Sequence, residues 1–158
     1  MDRWLARCFA LFGFVALVFE PLYYFGCSWN GESCEGTVSR IWRIYSRWDP
    51  LFYRMNVPEL LWLRVMCSIE VFLFGPCYLL TAGSLYHPGH AWSQWWLRVW
   101  AQPFLGALVY STLVYFAMEH LLATDSGANM LMVFIVNGPW TAVPCCLLFK
   151  LNHREKQS

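Results

Sequence analysis

The chain has 158 residues, of which 58% are hydrophobic and 13% charged, and its mean hydropathy is +0.40. Soluble domains carry about twice that share of charge, so the composition excludes a large water-soluble domain. A formal net charge of +1 gives no electrostatic footprint for nucleic acid, and no such partner is expected.

Residues 5–25 read LARCFALFGFVALVFEPLYYF, an apolar run interrupted by Glu20. A bilayer crossing needs about 20 apolar residues. Arg3 and Arg7 precede the run, but it is long and aromatic and no small-residue cleavage site follows, so it reads as a retained span at about 4–25. Residues 26–57 are the longest polar stretch. Val38, Ile41, Trp42, Tyr45 and Trp48 recur there at helical steps, with Arg40, Arg43 and Arg47 between them. That pattern predicts a short amphipathic helix, ended by Asp49-Pro50, that lies at the membrane interface or covers a helix bundle.

A second span is expected at about 60–86, opened by Pro58-Glu59 and kinked at Gly75-Pro76. It contains Glu70. His87 and His90 fall in the following loop and should face water. The third span, about 97–122, has no Lys, Arg or Asp between Val99 and Met118. A short connection over 123–128 makes it an antiparallel neighbour of the fourth, about 129–151. That last run holds Asn137-Gly138-Pro139-Trp140 and Pro144, and its prolines leave carbonyls without helical partners. The expected fold is an all-α membrane protein, a single four-helix domain with a short amphipathic helix in its first loop.

An even number of spans puts both termini on one side. Arg3, Arg7, Arg98, Lys150, Arg154 and Lys156 flank that side, against Arg40, Arg43, Arg47 and Arg54 opposite, which favours cytoplasmic termini. The final residues REKQS place Arg154 and Lys156 like a retrieval signal of the endoplasmic reticulum. Among the seven cysteines, Cys8, Cys67, Cys77, Cys145 and Cys146 sit in spans as small apolar fillers. Cys27 and Cys34 share the first loop and can pair if that loop is lumenal. No C-x-x-C or H-E-x-x-H pattern is present, so no metal or other cofactor is expected.

A carboxylate inside a span is costly and by default marks a binding or proton-transfer site. At about 1.5 Å of rise per residue, measured from the face bearing residues 26–57, Glu20 lies about 8 Å deep and Glu70 about 15 Å. On the same scale Glu119 lies about 5 Å deep, Tyr115 about 10 Å and Tyr110 about 18 Å. Asn137 lies about 12 Å deep and Trp140 about 16 Å. All seven fall in one half of the membrane, which predicts one shared cavity opening toward the 26–57 lid. Cys67 with Glu70, Asn137 with Trp140, and Tyr115 with Glu119 each share a helix face. A protonated carboxyl in such a cavity can donate a proton, an ionised one can steady a cation, and Trp140 can add cation–π stabilisation. That chemistry suits proton-initiated rearrangement of an apolar molecule through a carbocation. It equally suits simple binding of an amphipathic or amine ligand. Bland roles stay open: Glu20 snorkelling, Glu70 capping freed carbonyls, Asn137 bridging helices, Asp49 turning the loop, Glu119 facing solvent.

These residues resemble the emopamil-binding and sigma-two-receptor family, the EXPERA domain. Glu20 in VFEPLYYF resembles the family's first-helix acid, and IWRIYSRWDPLFY resembles its W-x-x-Y-x-x-x-D loop. Glu70 with Pro76 resembles the sigma-two branch. YSTLVYFAMEH and Asn137-x-x-Trp140-x-x-x-Pro144 resemble the sterol-isomerase branch. The resemblance implies four spans, residence in the endoplasmic reticulum membrane, homodimers, and a cavity for sterols or cationic amphiphiles. In the isomerase branch it implies a double-bond shift by protonation and deprotonation. The branch histidine falls at Ala16 here, and its second-helix glutamate falls at Cys67, one turn before Glu70. The sigma-two branch instead has acids like Glu20, Asp49 and Glu70 and implies sterol binding or trafficking. The expectation is a sterol- or isoprenoid-binding membrane protein, with Glu70 as proton donor and Glu20 as base or cation stabiliser. Asn137 would orient a carboxyl and Trp140 would face the cation, while Tyr110, Tyr115, Cys67, Asp49 and Glu119 would complete the ligand site. The alternative is a non-catalytic sterol binder.

Overall fold

The computed structural model describes residues 3–23, 40–41, 44–53 and 61–155. Expectations for Val38, Trp42, Arg43, Arg54, Lys156, the 58–59 helix start and the Cys27–Cys34 pair fall outside the described residues. Those described are helical apart from short turns. Helix α1 spans Arg3–Leu22, α2 is the short Pro50–Tyr53, α3 spans Leu61–Tyr86 and α4 spans Ala91–Leu122. Helices α5, Met130–Asn137, and α6, Pro139–Glu155, complete the set. Three of these helices are long and apolar enough to cross a membrane. The α5–α6 pair makes a fourth span if its 42° bend is counted as a break within one crossing.

The prolines explain the shape of the long helices. A proline ring removes one N–H and crowds the carbonyl four residues earlier. Pro21, Pro76 and Pro103 each follow closely on a π-helical turn, at Val15–Phe19, Glu70–Phe74 and Trp96–Trp100. In these turns the N–H groups of Glu20, Gly75 and Ala101 bond back to Val15, Glu70 and Trp96, one residue further than in an α-helix. The wider turn absorbs the proline without breaking the helix. The kink expected at Gly75-Pro76 is therefore a π turn inside the continuous α3. The third span also starts earlier than expected, at Ala91, because Ser93, Trp96 and Leu97 are buried in the bundle. At Gly138 the chain does break: its N–H reaches the Phe134 carbonyl at 2.8 Å, and a Cβ there would come within 2.5 Å of that same oxygen.

Helix α1 packs on the second half of α3, and α6 packs on α4. Gly13 and Gly75 permit the first contact. A Cβ on Gly13 would meet Leu79 at 2.6 Å, and one on Gly75 would meet Leu17 at 2.6 Å. The main core gathers Leu5, Phe9, Phe12, Tyr78, Trp96, Phe104, Leu105 and Leu147. A smaller cluster of Leu51, Leu63, Tyr115, Phe116 and Val133 lies under the segment that carries α2. Leu11, Phe14, Leu61, Phe72, Leu73, Leu113 and Phe149 are exposed, an apolar outer surface suited to lipid. Between α4 and α5 the chain turns at Gly127, whose φ of 73° an L side chain would resist. Asn129 then caps α5 by accepting the Met132 N–H at 3.2 Å. His87 and His90 are exposed, as expected.

Candidate functional site

The π turns of α1 and α3 pack against each other. Each carries one of the two intramembrane acids: Glu20 closes the first turn and Glu70 opens the second. A π turn shifts the following side chains around the helix axis, and such turns concentrate at functional sites. Both acids line a partly enclosed, mostly apolar cavity of about 270 Å³. The wall is completed by Val15 and Phe19 from α1, Leu63, Met66 and Cys67 from α3, and Ser111, Thr112 and Tyr115 from α4. Val136, Asn137 and Trp140 close it from the α5–α6 bend, and Ile41 and Tyr45 cover it from the first connection. Of the segment with the amphipathic pattern, Ile41 and Tyr45 lie on the cavity wall.

The acids differ in their partners. Glu70 accepts a hydrogen bond from Tyr78 at 2.6 Å, and Trp140 lines the cavity beside it. Glu20 Oε2 is buried and has no hydrogen-bond partner among the described residues. The two carboxyls lie within electrostatic reach of each other, and the Cys67 thiol lies within reach of both and of Asp49. Trp140 stacks on Phe12, with ring centroids 4.4 Å apart and planes 21° apart, so one of its faces is covered.

A second polar cluster lies behind the cavity wall. Asp49 is fully buried and accepts hydrogen bonds at Oδ2 from Tyr45, at 3.1 Å, and from Tyr115. Asn137 donates to the Tyr45 hydroxyl at 2.9 Å and to the Val133 carbonyl at 3.0 Å. Glu119 is also fully buried and lies against Asp49 in hydrogen-bonding contact. Burial pushes the Tyr45 phenol well above its ordinary range, and the charge of Asp49 pushes it further.

The nine expected site residues therefore divide three ways. Glu20, Glu70, Cys67, Tyr115, Asn137 and Trp140 line one cavity. Asp49 and Glu119 are absent from its wall and form the buried cluster instead; Glu119 does not face solvent. Tyr110 points outward from α4 and is 71% exposed. Five residues separate it from Tyr115, a rotation of about 140° on a helix, so lying in the same half of the membrane did not mean a shared face. Asn137 holds Tyr45 rather than a carboxyl. Tyr78 and Tyr45 join the site beyond the nine expected residues. Tyr45 is the tyrosine of the W-x-x-Y-x-x-x-D pattern, four residues before Asp49. Tyr78 is eight residues past Glu70 across a π turn, which a regular helical wheel misplaces.

Fold and site together define a multi-pass, membrane-type helical bundle with an acid-lined internal cavity. The chain matches the family described as EXPERA (EXPanded EBP superfamily) over residues 37–151, and it belongs to that family. The match includes Tyr45, Asp49, Glu70, Asn137 and Trp140; Glu20 precedes it. No curated protein and no solved structure matches the chain.

Proposed function

We propose that the cavity binds a sterol- or isoprenoid-like molecule and that the Glu20–Glu70 pair moves a proton on it, shifting a double bond. The observation that carries this reading is the asymmetry of the pair. Tyr78 donates a hydrogen bond to Glu70, and Glu20 Oε2 receives none among the described residues. Donors favour negative charge, so Glu70 is the better carboxylate and Glu20 the better carboxylic acid. The roles are then the reverse of those expected from sequence. Glu20 gives its proton to one alkene carbon, forming a C–H bond and leaving a cation on the adjacent carbon. Glu70 removes a proton from the far side of that cation, and its electrons form the new double bond. The proton gained by Glu70 returns to Glu20, so the cycle consumes no reagent. The mostly apolar lining would limit the water able to capture the cation. Residence in the endoplasmic reticulum membrane, which the family resemblance implies, belongs to this proposal.

A second reading, binding of a sterol or cationic amphiphile without catalysis, is favoured by Ala16. This position, where the resemblance implies a histidine, is 1% exposed and packs beside Gly75, so no proton carrier acts from it. Deuterium separates the readings. Protein in lipid nanodiscs is incubated in heavy water with ring-unsaturated sterols and with linear isoprenoids, and products are read by mass spectrometry. Catalysis predicts deuterium in an isomerised product, lost in both Glu20→Gln and Glu70→Gln. Saturable binding with no exchange across the panel refutes catalysis and leaves the second reading.

A further inference from the structure

The Asp49–Glu119 cluster takes no part in the reaction above, yet it fastens the cavity's cover. Asp49 follows the segment bearing Tyr45, while Glu119 and Tyr115 project from α4. Both Glu119 oxygens are buried and receive no N–H or hydroxyl donor among the described residues. The group it meets is the Asp49 carboxyl. Two facing carboxyls away from water repel strongly if both are charged, and they bond only when one carries a proton. Both tyrosines donate to Asp49 Oδ2, and Asp49 Oδ1 is buried as well. We propose that Asp49 and Glu119 hold one proton between them, and that this proton clasps the segment of residues 44–53, with Tyr45 over the cavity, onto α4. Loss of the proton drives the carboxyls apart and loosens the cover, so access to the cavity is proton-gated.

The neighbours are consistent with a response that belongs to the acid pair. Tyr45 from the covering segment and Tyr115 from α4 are neutral donors to Asp49, and the Cys67 thiol from α3 lies within electrostatic reach of the same carboxyl. The raised phenol range of Tyr45 keeps it from titrating first. Other attachments stay in place: the Asn129 N–H bonds to the Trp48 carbonyl at 2.8 Å, and Leu51 is 5% exposed in the smaller core. Opening therefore means loosening of one segment and not unfolding of the bundle.

The test needs no ligand, so it stands apart from the proposed chemistry. Amide hydrogen exchange of the full chain in nanodiscs is followed by mass spectrometry from about pH 5 to about pH 10, corrected for the intrinsic pH dependence of exchange. Protection of residues 44–53 should fall by about tenfold or more at the alkaline end, while α3 and α6 keep theirs. Glu119→Gln, which offers a permanent donor to Asp49, should hold that protection flat, and Asp49→Asn should do the same from the other side. Unchanged protection in the wild-type chain overturns the proposal. So does an alkaline loss that persists in both variants, because another group would then be responsible.

Discussion

Gly75 sits where the two acid-bearing π turns touch, and Gly75→Ala tests whether that contact sets their approach. The added Cβ would stand 2.6 Å from Leu17 Cδ2 and 2.8 Å from its Cγ. Ordinary carbon contacts are about 3.5–4.0 Å, so Leu17 or the helix must retreat by about 1 Å. Such overpacking costs about 1–3 kcal/mol. Replacing glycine in a helix returns about 0.8–1.0 kcal/mol. The single variant should therefore lose up to about 2 kcal/mol. Leu17→Ala removes both crowding atoms, and in that background Gly75→Ala should stabilise by up to about 1 kcal/mol. The cycle thus predicts a coupling of about 1–3 kcal/mol between the sites. Equilibrium unfolding in mixed micelles, followed by far-UV circular dichroism, measures all four chains. A coupling within about 0.5 kcal/mol of zero refutes the claim that these side chains limit the approach of α1 to α3.

Tyr115 and Tyr110 should respond in opposite ways to removal of their hydroxyls. Tyr115→Phe deletes a buried donor to Asp49 and should cost about 1.5–3 kcal/mol, whereas Tyr110→Phe should stay within about 0.5 kcal/mol in the same unfolding assay. Phe12→Ala removes a 3% exposed ring that stacks on Trp140, with an expected loss of about 3–5 kcal/mol and a matching fall in thermal midpoint. Alkaline stability should report Tyr45. Its phenol is raised above the ordinary value of 10.0 in the folded chain, so the folded state keeps a proton that the unfolded state releases. Its contribution is whole below that value and is lost as pH rises above it, by up to about 1.4 kcal/mol per pH unit. Tyr45→Phe should flatten the alkaline limb of stability by that one proton; an unchanged slope would show that the phenol is not perturbed.

Local chemistry made much of this protein legible in one dimension. Apolar runs of bilayer length mark the spans, because backbone polar groups in lipid must be satisfied within a helix. Acids inside those runs stand out because their burial is costly, and Glu20 and Glu70 were visible for that reason. The prolines were also readable as helix disturbances. Whether each would become a kink, a π turn or a break depended on neighbours: Pro76 is absorbed in α3, and Pro139 follows a true bend. Depth along a helix could be counted from residue number, but direction around it could not, since each π turn resets the face. Tyr115 and Tyr110 stand on different faces of a regular stretch of α4, and only packing decides which face is inward, while Tyr78 reaches Glu70 from beyond a turn that no regular wheel anticipates. The division of the acids into a cavity pair and a buried clasp was decided by tertiary packing alone, because hydrogen-bond partners such as Tyr45 and Asp49 come from a segment distant in sequence from α4. Sequence determined that carboxyls would be buried; three-dimensional contacts decided which of them meet, and left Glu20 Oε2 without a hydrogen-bond partner among the described residues.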